Sequence, residues 1–303
     1  MSKHMTGAEP VQAKQKRKKV TAFEVINATV LTLFALLCLY PFVNQVLISF
    51  ASPKDYLQSV LIVIPREFNF EAYKYILFQG RMGNAFLVSF FVTACGTTFN
   101  MIMTAFGAYA LTKKNMPGRK AFFVFVLITM FFGGGLIPFY LVVKEIGLMG
   151  SPLSLILPFS INTFNMIILR NFFNQVPESV IESCKMDGAR EFRVLFAIVI
   201  PLSLAGLATI ALFYLVERWN DWYWPMLFLT NSDLFPLALE LRNILSSNQS
   251  SGIGGGGVVD PSKLFSEGQK SATIVIAIAP IVAVYPFIQR YFVKGVMLGS
   301  IKE

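Results

Sequence analysis

The chain has 303 residues, of which 55% are apolar and 14% charged, and it carries a net charge of +9. So apolar a composition excludes an ordinary soluble domain of this length and points to an integral membrane protein that shares its core with lipid. The basic residues are dispersed beside apolar runs, which argues against a nucleic-acid surface, while a single histidine, His4, and the scattered Cys38, Cys95 and Cys184 argue against a zinc site or a disulfide framework.

Residues 1–20 are polar and basic without apolar periodicity, and are expected as a mobile cytoplasmic tail or one laid against anionic headgroups. Residues 21–303 form the membrane domain. Six apolar runs of about the length a helix needs to cross a bilayer lie near 25–47, 84–111, 121–143, 153–173, 202–229 and 272–292. They predict an all-α protein with six transmembrane helices. The first run has no small-residue cleavage site after it and reads as a retained anchor. Lys and Arg favour the N-terminal side of alternate loops by about two to one, which predicts cytoplasmic N- and C-termini.

In chain order, the first run holds Pro41, which should bend it, and Asn44. The aromatic and charged segment from Pro65 to Tyr73 is expected at the membrane interface. Thr93, Thr97, Asn100 and Thr104 with Gly96 and Gly107 give the second run a small and polar face for other helices. Gly133, Gly134, Gly135 and Pro138 should break the third. In the fourth, Asn162 and Asn165 are too polar for lipid and are expected at a helix interface or along a translocation path. Asn220 and Asp221 of the fifth run join them as path candidates, and Glu217 and Asp221, four apart, should share a helix face.

The stretch 175–201 is the opposite of its neighbours in composition. Pro177 suits a first helical position, Glu178 complements the positive end of a helix, and Gly188 can take the positive φ that ends one. A second helical pattern starts at Glu191 and leads to Pro201. These features predict a helix-turn-helix elbow on the membrane surface.

Glu182, Gly188, Ile198 and Pro201 fall at the spacing of the EAA loop, Glu-Ala-Ala-x3-Gly-x9-Ile-x-Leu-Pro, and the whole stretch resembles that loop in the membrane subunits of bacterial ATP-driven importers. Asp187 and Ala189 strengthen the match, whereas Ser183 and Cys184 replace the two alanines. Three further segments resemble the maltose-type carbohydrate permeases: Ile137-Pro138 to Pro158, Trp219-Asn220-Asp221 to Pro225, and Gln289-Arg290 to Lys302. The resemblance implies a type I ABC importer permease fold in the bacterial inner membrane, with an ATPase docking on a cytoplasmic coupling helix through Glu182, Ser183, Cys184, Asp187, Gly188, Ala189, Ile198 and Pro201. It also implies a second, different permease subunit, an ATPase dimer that holds ATP and Mg, and an external or periplasmic sugar-binding protein delivering an oligosaccharide, neutral or acidic. The outer loop 232–271, with Gly252, Gly254, Gly255, Gly256 and Gly257, would then touch that binding protein.

The chain has no nucleotide-binding motif and no nucleophile with an adjacent base, so it is expected neither to hold a cofactor nor to act as an enzyme alone. Two alternatives use the same helices. An ion-coupled secondary transporter would need an inverted repeat or a buried proton relay, for which Glu217 and Asp221 are the candidates. A polysaccharide exporter subunit would contact an ATPase but need no external binding protein.

Overall fold

The structure is a computed structural model that describes residues 21–52, 65, 68–79, 81–250 and 268–286. The basic tail, Gly252 to Gly257 and the segment from Gln289 to Lys302 lie outside the described residues. Among the described residues the regular elements are all helical. The chain divides into two units, Met1–Asn44 and Gln45–Glu303.

The described part of the first unit is the N-terminal portion of α1, Ala22–Ser49. A capping box starts this helix: the Thr21 amide donates to Glu24 Oε2 at 2.9 Å and the Glu24 amide to Thr21 Oγ1. Pro41 lies inside it.

In the second unit, α2, Glu71–Lys74, follows the aromatic segment. Tyr73 hydrogen-bonds Ser49 at 2.7 Å and stacks on Phe50, which anchors that segment within the protein. The helix α3, Met82–Thr112, is the axis of the unit. The helices α6, Thr163–Phe173, and α10, Leu204–Asn220, pack along it. Close approach depends on small residues. A β-carbon at Gly107 would meet Met166 Sδ at 2.7 Å, and one at Gly206 would meet Phe172 Cγ at 2.4 Å. Ala108, Leu111, Leu169, Leu195, Ile210 and Tyr214 fill the space between these helices and the elbow.

Among the described residues three helices are long and apolar enough to cross a membrane: α1, α3 and Gly268–Pro286; three bent pairs bring the number up to six if each is one span. Three of the six expected runs are thus bent, the third run at the break expected from Gly133 to Pro138. In the third run, α4, Arg119–Phe131, and α5, Leu136–Glu145, meet at 110°, where Gly135 takes φ +84 and Pro138 sits in the first turn of the new helix. The fourth run becomes α-helical only at Thr163. Pro152 and Pro158 open two 3₁₀ turns before it, and the Asn162 side chain caps α6 by accepting from the Asn165 amide.

The elbow consists of α7, Glu178–Met186, then α8, Glu191–Val194, a π turn Leu195–Val199, and α9, Ile200–Leu202. Pro177, with ψ 130, precedes α7 by one residue instead of opening it. Pro201 has no N–H to donate, so the regular ladder is interrupted beside the π turn, and Glu191–Leu202 lies at 86° to α10.

The fifth run is divided as well. The α10 helix ends at Asn220, Asp221 is extended at ψ 113, and α11, Tyr223–Phe228, starts anew. Glu217 and Asp221 therefore do not share a helix face. The segment 232–271 is not a plain loop either: α12, Leu237–Ser250, occupies its first half, with Leu237 and Leu239 buried and the Leu237 amide donating to Ser89 Oγ at 2.7 Å.

Candidate functional site

Among the described residues, two places gather polar side chains singled out in the sequence. The first is the elbow, which ends α7 in a Schellman turn. The Gly188 amide donates to the Lys185 carbonyl at 3.0 Å and the Ala189 amide to the Cys184 carbonyl at 3.1 Å. Gly188 sits at φ +81, where a side chain would be strained. Cys184 and Ala189 are both half-buried against the core beneath, together with Ile181, Ile198 and Ile200. Small residues at 184 and 189 let the turn lie flat on that core.

The opposite side of α7 faces outward. Glu182, Ser183 and Asp187 are exposed, and Met186 at the tip is 88% exposed. The Ser183 hydroxyl donates within its own helix to the Ser179 carbonyl. Glu182 has no ion-pair partner among the described residues, and it lines a recess of about 1230 Å³ together with Lys185, Glu191 and the end of α3. Pro201 is exposed at the far end of the elbow.

Glu191, which sequence reasoning treated only as the start of a helical pattern, ties the elbow to α3. It accepts from Lys113 Nζ at 2.6 Å, Lys185 Nζ at 2.7 Å and the Tyr109 hydroxyl at 2.7 Å. The two lysines hold its carboxyl far below the ordinary range, at about 2. Lys114 pairs with Glu178 at 2.6 Å, which lowers that carboxyl too. Both halves of the elbow are thus fastened to the end of one long helix. The sequence signal was present in Lys113 and Lys114, but their partners stand 64 or more positions away.

The second place is a cavity of about 490 Å³, lined by Gly133 to Gly135 of the broken helix, Phe159, Asn162, Tyr214, Glu217, Arg218, Tyr223 and Trp224. Arg218 is only 5% exposed. It donates to the carbonyls of Leu155 at 2.9 Å and Phe159 at 3.1 Å and stacks over the Phe159 ring at 4.9 Å. Oriented to satisfy its neighbours, the Asn100 amide accepts from Arg218 Nη2 at 3.2 Å and donates to the Phe159 and Gly96 carbonyls. The irregular 3₁₀ backbone left carbonyls without helical donors, and the buried guanidinium supplies them.

Of the four path candidates, Asn162 alone lines this cavity. Its backbone N–H donates to the Tyr214 hydroxyl at 3.0 Å, and that hydroxyl also bonds Thr104. Asn165 is buried beneath. The Asn220 side chain folds back on the Val216 carbonyl, and Asp221 caps α11 by accepting from the amides of Tyr223 and Trp224. Tyr214, Tyr223 and Trp224 were not singled out as cavity residues, because the packing that brings them opposite Gly133–Gly135 leaves no mark in a one-dimensional pattern.

Comparison with known proteins agrees with this architecture. The chain is 41% identical over 284 residues to the polygalacturonan/rhamnogalacturonan transport system permease protein YtcP of Bacillus subtilis (strain 168), covering 92% of this chain and 98% of that protein. It is 38% identical to protein LplC of the same organism, covering 92% and 95%. A crystal structure of a bacterial ABC transporter involved in import of the acidic polysaccharide alginate contains a chain that superposes with a TM-score of 0.81 at 30% identity, covering 94% of this chain and all of that one. Residues 30–298 match the family described as binding-protein-dependent transport system inner membrane component. The match to a binding-protein-dependent transport family and to a chain of an ABC importer leaves the secondary-transporter reading without support. The chain belongs to this family of inner membrane components, as an all-α ABC importer permease that is not an enzyme by itself.

Proposed function

We propose that this permease passes acidic oligosaccharides inward across the bacterial inner membrane. Similarity to a polygalacturonan/rhamnogalacturonan permease along nearly the whole chain carries this reading, and the likeness to an importer of alginate supports it. The cavity suits such a cargo: Phe159, Tyr223 and Trp224 offer ring faces to sugar rings, and Arg218 supplies positive potential, its two Nη groups holding the Leu155 and Phe159 carbonyls while its buried Nε–H has no partner among the described residues. Asn162 is the polar side chain of the earlier path candidates best placed to meet it, with Asn165, Asn220 and Asp221 shaping the walls.

The elbow 175–201 is the ATPase contact in this proposal. Glu182, Ser183, Asp187 and Gly188 face the partner, while Cys184, Ala189 and Ile198 seat the elbow on the core and Pro201 leads to the bend before α10. The partner is a dimeric ATPase that holds ATP and Mg. A shift of the elbow between two ATPase states would move α3 through Glu191 and Lys113, and α10 through the 86° bend. A second, different permease completes the path, a sugar-binding protein meets the segment containing Gly252 and Gly254 to Gly257, and both termini are cytoplasmic.

The test is ATPase stimulation of the assembled complex by a panel of oligosaccharides delivered on the binding protein. Oligogalacturonates or alginate oligomers should stimulate turnover several-fold more than neutral oligosaccharides of equal length. Stimulation by neutral oligosaccharides alone would overturn the substrate class. Removing residues 252–257 should impair uptake while the complex still assembles; full uptake would remove the proposed binding-protein contact.

A further inference from the structure

The link between α3 and α4 carries more positive charge than the elbow uses. Arg119 of α4 and Arg170 of α6 each donate Nε–H to one acceptor, the Leu111 carbonyl, both at 3.1 Å. Their charged planes are therefore within two hydrogen-bond lengths of each other. Arg170 also lies over the Phe123 ring at 4.6 Å, which fixes its plane. Lys120 and Lys114 complete the rim of a recess of about 710 Å³ with no carboxylate in its lining. Lys114 has a partner in Glu178, but among the described residues no carboxylate forms an ion pair with Arg119, Lys120 or Arg170.

Two half-buried guanidiniums sharing a neutral acceptor repel each other. Their Nη groups keep donors in a fork that matches phosphate oxygens, and an anion in the recess would relieve the repulsion. The same helix distinguishes a lipid from a free ion. One turn beyond Arg119 and Lys120, α4 presents Phe122, Val124 and Phe125, which are 48%, 52% and 64% exposed. A cationic recess leading onto an apolar helix flank fits a molecule with a phosphate head and a hydrocarbon tail.

We propose that Arg119, Lys120 and Arg170 form a binding site for the phosphate headgroup of an anionic phospholipid, whose acyl chain lies along the Phe122–Phe125 side of α4. The site belongs to the membrane leaflet on the elbow's side, because Lys114 of its rim is ion-paired to Glu178 of α7.

The test is lipid retention by the full-length chain with its co-purifying subunits in nanodiscs of phosphatidylcholine and phosphatidylglycerol, read by native mass spectrometry. Wild type should retain phosphatidylglycerol over phosphatidylcholine, and Lys120→Gln should lower that preference about fivefold, the effect of one charge at an anionic surface. Lys120 is exposed, so this variant keeps the Leu111 contacts; Arg119→Gln tests one guanidinium directly, and Arg119→Lys should restore part of the loss. Glycerol phosphate at millimolar concentration should not displace the lipid. Equal preference in wild type and both Gln variants would overturn the site, and displacement by glycerol phosphate would show a free-anion site instead of a lipid site.

Discussion

Lys113 Nζ lies 2.6 Å from Glu191 Oε2, which joins the C-cap of α3 to the second half of the elbow. The same carboxylate reaches Lys185 on the first half, so one residue holds three elements together. Glu191→Gln keeps the shape and removes the charge. In the assembled transporter it should leave basal ATP hydrolysis intact and lower substrate stimulation several-fold. Lys113→Gln should act the same way, and the double variant should be no worse than either alone, because the residues are in contact. Additive losses would show that they act separately.

The charge also has a pH signature. The Glu191 carboxyl is lowered to about 2 in the folded protein, so its stabilising contribution is complete above the ordinary carboxylate value and is lost as pH falls toward 2. The difference in thermal midpoint between wild type and Glu191→Gln should therefore be constant from pH 7 to about 4.5 and shrink below that. Because half of this side chain meets solvent, the difference should be small and weaken with salt.

Gly206 and Phe172 are in direct apposition, and a β-carbon would overlap the ring. Gly206→Ala should destabilise the detergent-solubilised protein by about 1–3 kcal/mol. Phe172→Leu in the same chain should return part of the loss. An unchanged melting temperature in Gly206→Ala would mean that α6 and α10 do not pack as closely as described.

Arg218 satisfies backbone carbonyls that the 3₁₀ turns leave open. Arg218→Met should cost about 1–3 kcal/mol for each stranded group. Arg218→Lys should recover little, because a point ammonium does not reproduce the two-pronged contact with the Leu155 and Phe159 carbonyls. Thermal unfolding of the two variants in one detergent measures both effects.

The elbow separates shape from contact. Gly188→Ala places a β-carbon at φ +81 and should destabilise the turn by about 1–2 kcal/mol. Glu182→Lys, at an exposed position, should leave the thermal midpoint unchanged and release the ATPase during purification. Retention of a fully stimulated ATPase by Glu182→Lys would count against the proposed docking face.

The membrane class, the elbow and the break at Gly133 to Gly135 were legible in the chain because each depends on local chemistry. Apolar length, a glycine able to take positive φ and a proline without an N–H act within a few residues. Tertiary structure alone decided the rest. Asp221 was read as a face-mate of Glu217 from their spacing, but the backbone opens between them and its carboxylate caps the next helix. Arg218 was visible as a charge in an apolar run, but its acceptors lie about sixty positions earlier, on turns whose carbonyls are free only because two prolines interrupt that run. Glu191 became a fastening point for the same reason: ion pairs and hydrogen bonds depend on distance in space, and folding brings α3 and the elbow to within a few ångströms after a long separation in sequence.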